Sequence, residues 1–194
     1  MNTVIIDSTE EGDVQYDVFT KLISDRIIFL SDYIDDGVAT NVVATLLYLN
    51  SIDSEAPISI YINSESGDIR SVLMIYDIMQ LVSCPIQTVC LGAATFESAI
   101  ILAAGTPGKR AATKSSNICV SQLSADGLTV GDMTDIRISF EQMKKDNNKI
   151  INILAKHTGK TVSKLRRDCE RKVFMTPQQA KRYGIIDLVL EWKK

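Results

Sequence analysis

The sequence predicts an α/β fold around a parallel sheet, in one domain. Apolar strand segments alternate with helical segments through the first two-thirds of the chain. A long amphipathic stretch at 130–156 follows. The chain closes on a strongly signalled helix and a return strand. Its 194 residues suffice for a sizeable core, and no repeat, low-complexity tract or linker divides them.

Residues 1–13 are polar and acidic and read as a mobile arm. Residues 14–25 fit a short helix and 26–30 a buried strand. The 35–50 segment reads as a helix capped by Asp35 or Asp36, with no charge after Asp36 through Asn50. A helix apolar on most sides is covered on most sides, which calls for a second layer or another subunit. PISIYIN (57–63) and PIQTVCLG (85–92) are strands, each leading through a small-residue turn into a helix, at 69–82 and about 95–104. In such folds chemistry sits at the carboxyl ends of the strands, here the 64–68 and 92–97 turns. Two short strands follow near 109–113 and 116–121. The 130–156 helix, ended by Gly159, is too long for a small domain to cover and is expected to project. A helix at 161–171 comes next. Thr176-Pro177-Gln178-Gln179 then signals a capping box with Pro at the first helical position. Gly184 ends that helix, and IIDLVL (185–190) returns as a strand.

Composition excludes several function classes. A net charge of −3 gives no attraction to nucleic acid or an anionic membrane. No window reaches the roughly 18 apolar residues of a membrane span. The acidic start lacks the basic region of a signal or transit peptide, which points to a cytoplasmic location, a bacterial cytosol, with a plastid-type interior as the alternative. Cys84, Cys90, Cys119 and Cys169 form no CxxC pair and read as reduced, packed thiols. His157 is the single histidine, so a His-rich metal site is excluded, and no metal or cofactor is expected.

The segments Y-I-N-S-x-S-G (61–67), G-A-A-T-F-E-S-A (92–99), G-K-R (108–110), T-D-I (134–136), H-T-G (157–159), R-D-C-E-R (167–171) and Y-G-I-I-D (183–187) stand in an order and spacing that resembles the Clp protease proteolytic subunit family. The resemblance runs from about residue 4 to residue 190. It implies an αβ superhelix of the crotonase type with a projecting "handle" helix, assembled as stacked seven-membered rings. On that basis 1–13 is an axial arm, 14–122 and 173–194 form the head, and about 123–172 form the handle region.

The same resemblance locates a triad and finds it replaced. The nucleophile position holds Phe96, which has neither a nucleophilic atom nor an ionisable proton. The histidine position holds Ser121, which has no usable pKa near neutrality. The orienting aspartate position holds Lys172, a cation that cannot stabilise an imidazolium. Gly67 and Glu97 occupy oxyanion-hole positions, and Glu65, Asp68 and Glu97 bring negative charge where an anion should be stabilised. The loop after Ser121 counts about two residues longer than in ordinary members. Ser98, the nearest serine to the lost nucleophile, reads as a small helix residue. His157 reads as a helix-end residue, where positive charge is favoured.

Other positions carry over as family contacts. Glu170 and Arg171 match a ring-to-ring ion pair. Leu47, Tyr61, Leu81, Val89 and Leu190 match an apolar pocket that receives loops of a Clp-family AAA+ ATPase, with Ser59 where an aromatic is common. The resemblance thus implies a non-catalytic, ClpR-like subunit, in a homo- or hetero-oligomer with an active paralogue, that lines a chamber for unfolded polypeptide. Two alternatives stay open: a peptidase using a Ser121–Lys172 dyad, and a crotonase-like acyl-CoA enzyme.

Overall fold

The computed structural model describes residues 4–9, 12–124 and 131–191. Strands β1 (Val4–Thr9) and β2 (Gly12–Asp17) pair as an antiparallel hairpin. Helix α1 (Val18–Ser24) starts only at Asp17, whose carboxylate accepts from the Phe19 and Thr20 amides. The helix expected at 14–25 is therefore shorter, because strand pairing claims residues up to that cap.

The main sheet is parallel along β3 (Ile27–Ser31), β4 (Ile58–Ser64), β5 (Ile86–Thr95), β6 (Arg110–Thr113) and β9 (Leu188–Leu190). Strand β5 serves two neighbours. Its Thr88–Cys90 stretch pairs with β6, and its Ala93–Thr95 stretch pairs with β7 (Asn117–Val120). Between them Gly92 takes φ 84, and a Cβ there would meet Asn63 Oδ1 at 2.6 Å. Only glycine suits that conformation and that approach. The expected turn at 92–97 is thus mostly strand, and the true turn begins at Phe96. The short β8 (Val173–Met175), which the sequence reading did not foresee, pairs antiparallel with β7.

Helices α2 (Asp36–Ile52), α3 (Ile69–Leu81) and α4 (Ser98–Ala103) follow the strands that feed them. The cap of α2 is Asp35, whose Oδ1 accepts from the Val38 amide at 2.8 Å. Its uncharged surface is covered on one face only: Val42, Leu46 and Leu49 are buried while Leu47, Tyr48 and Ile52 are exposed. Helix α5 (Met133–Thr158) is the long element, stopped by Gly159 in the left-handed region at φ 69. Its second half buries Ile150, Ile151 and Leu154, and its first half exposes Met133, Ile138 and Phe140. Helix α6 (Val162–Asp168) is shorter than the 161–171 expected, because Cys169 caps it with its amide on Leu165 O. Helix α7 (Pro177–Tyr183) carries the expected reciprocal capping box of Thr176 and Gln179. The IIDLVL segment is strand only from Leu188, since Ile185 and Ile186 pack into the core and Asp187 is drawn into a clamp.

That clamp joins two of the motif segments. The Arg110 Nε and Nη2 atoms donate to Asp187 at 2.9 and 2.6 Å. Nη1 donates to the carbonyls of Ala103, His157 and Gly184, which end or follow α4, α5 and α7. Asp187 also accepts the Gly108 and Arg110 amides, and the Arg110 guanidinium foremost holds its carboxyl below the usual range.

His157 sits beside this clamp. Its Nε2 lies 3.3 Å from the Tyr76 hydroxyl, and the rings meet edge to face. Burial, then the charges of Lys156 and Arg110, pushes its pKa down to about 4. The expectation of a cation at the helix end is corrected: desolvation outweighs the helix dipole, and the imidazole is neutral at pH 7. A histidine harder to protonate when folded loses stability for the protein as pH falls from its unfolded value of 6.5 toward about 4. The lowered carboxyls of Asp146, Asp168 and Asp187 extend the loss below 3.8. Melting temperature recorded against pH is expected to fall in those two stages, and His157→Gln to remove the upper one. A profile unchanged by His157→Gln would contradict this account.

Candidate functional site

The three positions that the sequence reading took as triad positions come from three segments and converge. Phe96 follows β5, Ser121 follows β7, and Lys172 precedes β8. The pairing of β7 with both β5 and β8 brings them together, and all three line one cavity of about 330 Å³ with Ser66, Glu97, Leu123 and Ser124. The sequence reading expected Ser121 and Lys172 to be neighbours, and the structure places both on this cavity with Phe96.

Its geometry is that of a filled elbow. Phe96 has φ 56, a conformation a bulky residue seldom takes. The surroundings enforce it: its amide donates to Cys119 O at 2.9 Å, and Thr95 Oγ1 donates to Glu65 O at 2.5 Å. Ser98 is fully buried and donates to the carbonyls of Ser64 and Thr95 at 2.6 and 2.8 Å. Its hydroxyl is a strut between strand and helix, with no route to a substrate. The Lys172 ammonium lies 4.8 Å from the centroid of the Phe96 ring, a cation–π contact. The Ser121 hydroxyl donates instead to Gln122 O at 2.9 Å. Among the described residues no hydrogen bond joins Ser121 to Lys172. The added length counted after Ser121 falls largely on 125–130, outside the described residues.

Gly67 and Glu97, which the sequence reading took as oxyanion-hole positions, lie in distinct settings. Gly67 bridges to Ile34, whose amide and carbonyl pair with Ser66 O and the Asp68 amide. A Cβ on Gly67 would lie 2.6 Å from Ile34 Cβ and 3.0 Å from Ile34 O, so glycine is required for this approach. Asp68 faces its own helix: its carboxylate caps α3, accepting from the Arg70 and Ser71 amides at 3.0 Å each. Glu97 takes a hydrogen bond from Ser66 Oγ at 3.0 Å and separates this cavity from a larger one of about 700 Å³ along α5. Among the described residues no three His, Cys, Asp or Glu side chains gather as a metal site.

The remaining named positions are dispersed. Glu170 and Arg171 are exposed beside the cavity, with Gln122 Nε2 donating to Glu170 O. Tyr61 and Val89 are register partners on β4 and β5; Val89 is buried, and Tyr61 stacks on Phe29 at 5.4 Å. Leu47, Leu81 and Leu190 are exposed, and Ser59 is half-buried. The exposed Phe29 beside Tyr61 was missed, although its place in a strand of alternating burial was readable. All four cysteines are buried free thiols, and burial pushes Cys90 and Cys169 up to about 11.

Comparison with known proteins agrees with this architecture. The family model described as Clp protease matches residues 10–193. The ATP-dependent Clp protease proteolytic subunit 1 of Mycolicibacterium paratuberculosis is 41% identical over 189 residues, covering 97% of this chain and 90% of that protein. The ATP-dependent Clp protease proteolytic subunit 2 of Mycobacterium tuberculosis is likewise 41% identical, covering 97% of this chain and 88% of its own. With the parallel sheet, the elbow after its central strand and a match along nearly the whole length, the chain belongs to the Clp protease family.

Proposed function

We propose that this chain is a non-catalytic subunit of an ATP-dependent Clp protease assembly. The reading rests on Phe96. A phenyl ring stands where the elbow would present a nucleophile, and Lys172 lies over its face. Acyl transfer needs a nucleophile in hydrogen-bond reach of a base. Here the only hydroxyl among the three positions is turned to a neighbouring carbonyl, and the only imidazole of the chain lies against Tyr76, beside the clamp. The subunit then contributes wall and contact surface. Its partners are copies of itself or an active paralogue, and a Clp-family ATPase docked near Leu47, Ser59, Tyr61, Leu81, Val89 and Leu190. Glu170 and Arg171 serve the ring-to-ring contact, and the bacterial cytosol is the expected location.

The dyad alternative requires Ser121 and Lys172 to pair, and the Ser121–Gln122 bond and Lys172–Phe96 contact weigh against it. The acyl-CoA alternative has no support from the relatives, which are named as protease subunits. A size-verified oligomer is expected to leave short fluorogenic peptides uncut and to take no label from a fluorophosphonate probe. Labelling or turnover that Ser121→Ala abolishes would establish the dyad instead.

A further inference from the structure

The filled site still holds unsatisfied hydrogen-bond donors. Among the described residues the Lys172 ammonium has no carboxylate within ion-pair distance; its one recorded contact is the Phe96 ring. The backbone N–H groups of Gly67 and Glu97 donate to no acceptor among the described residues. Their neighbours are spoken for: the Phe96 amide goes to Cys119 O and the Asp68 amide to Ile34 O. Lys172 and Glu97 line one cavity and Gly67 the groove next to it, so an ammonium and two free amides stand around the place where an anion would sit. The Glu97 and Glu170 carboxylates line the same cavity and oppose this; Glu97 is held by Ser66 Oγ at 3.0 Å, and Glu170 is exposed, where solvent screens its charge. The 700 Å³ groove along α5 adjoins the cavity on the other side of Ser66, Glu97, Leu123 and Ser124, which line both, and offers room for an extended chain beside the anion.

We infer that this site binds the free C-terminal carboxylate of short peptides, with Lys172 as the residue that recognises it. The inference rests on the non-catalytic reading above. Every peptide-bond hydrolysis leaves one new carboxylate on the acyl fragment, so peptides of this class arise wherever an active subunit shares a chamber. Replacing an anionic aspartate position by Lys172 changes the sign of charge at the wall where that carboxylate would come to rest. An uncharged amide terminus gains nothing from the ammonium, so the two termini separate this site from general apolar adsorption.

The test is a titration of the whole oligomer, by calorimetry, with acetyl-Ala-Ala-Leu as its free acid and as its C-terminal amide. The acid is expected to bind about 5-fold more tightly at low salt, the size typical of one exposed ion pair. Lys172→Gln is expected to bring the two within about 2-fold, and Lys172→Arg to keep most of the preference. Equal affinities, binding of neither peptide, or a preference that survives Lys172→Gln would overturn the inference. Unchanged melting of the variants checks that they fold. The mass of the recovered amide peptide reports separately on the non-catalytic reading, since hydrolysis would shorten it whatever the affinities.

Discussion

Arg110→Ala is expected to destabilise the protein by about 3–5 kcal/mol, the cost typical of removing one partner of a buried ion pair. For a chain of this size that lowers the melting temperature by about 10 °C. The reason is the number of groups left stranded. Asp187 loses both guanidinium bonds, and the carbonyls of Ala103, His157 and Gly184 lose the donor they share. Those carbonyls end or follow three different helices, so one side chain ties α4, α5 and α7 to the edge of β6. Arg110→Lys is expected to be nearly as harmful, because a single ammonium cannot span the fork. Asp187→Asn keeps the shape and costs less. Urea unfolding of the single variants and of Arg110→Met with Asp187→Leu checks the coupling: the double variant should lose less than the sum of the singles. Additive losses would mean that the two residues stabilise the fold separately.

Gly67→Ala is expected to cost about 2–4 kcal/mol through overpacking alone. The added methyl would meet Ile34 at both its Cβ and its carbonyl oxygen, and Val72 Cγ2 at 3.1 Å. The carbonyl belongs to the backbone and has no rotamer to yield with. The turn carrying Ser66 must therefore shift, and with it the Ser66–Glu97 bond that partitions the site. Thermal melting should show the loss in the purified protein before any ligand is added. A Gly67→Ala variant that melts with the parent would mean the bridge to Ile34 is loose, and that the glycine serves only its amide.

These two positions also show how far the sequence could be read. Segment order was legible because each main strand carries its own apolar run and two helices announce their caps, at Asp35 and Thr176; the Asp68 cap of α3 was read only as a charge in the turn. The convergence of Phe96, Ser121 and Lys172 was legible through a family likeness, since nothing local to those residues reveals that β7 lies between β5 and β8. Long-range bonds were not legible. Arg110 and Asp187 lie in separate segments, and only the closed sheet shows that they are partners. The His157 reading failed for the same reason: a helix end suggests a cation, but the burial and the two nearby positive charges come from tertiary packing. Strand ends were misjudged where pairing rather than composition decides them, at Asp17, Thr95 and Leu188.

The left-handed backbone at Phe96 has a consequence for how such a chain can diverge. The angle is set by bonds that residues 95, 96 and 98 make to two other segments, at 64–65 and at 119, none of which involves the side chain at 96. The corner is therefore inherited with the frame, while the group it displays is free to drift. A lineage can abandon the chemistry in one substitution and keep the shape for as long as the sheet must hand its central strand to the next helix.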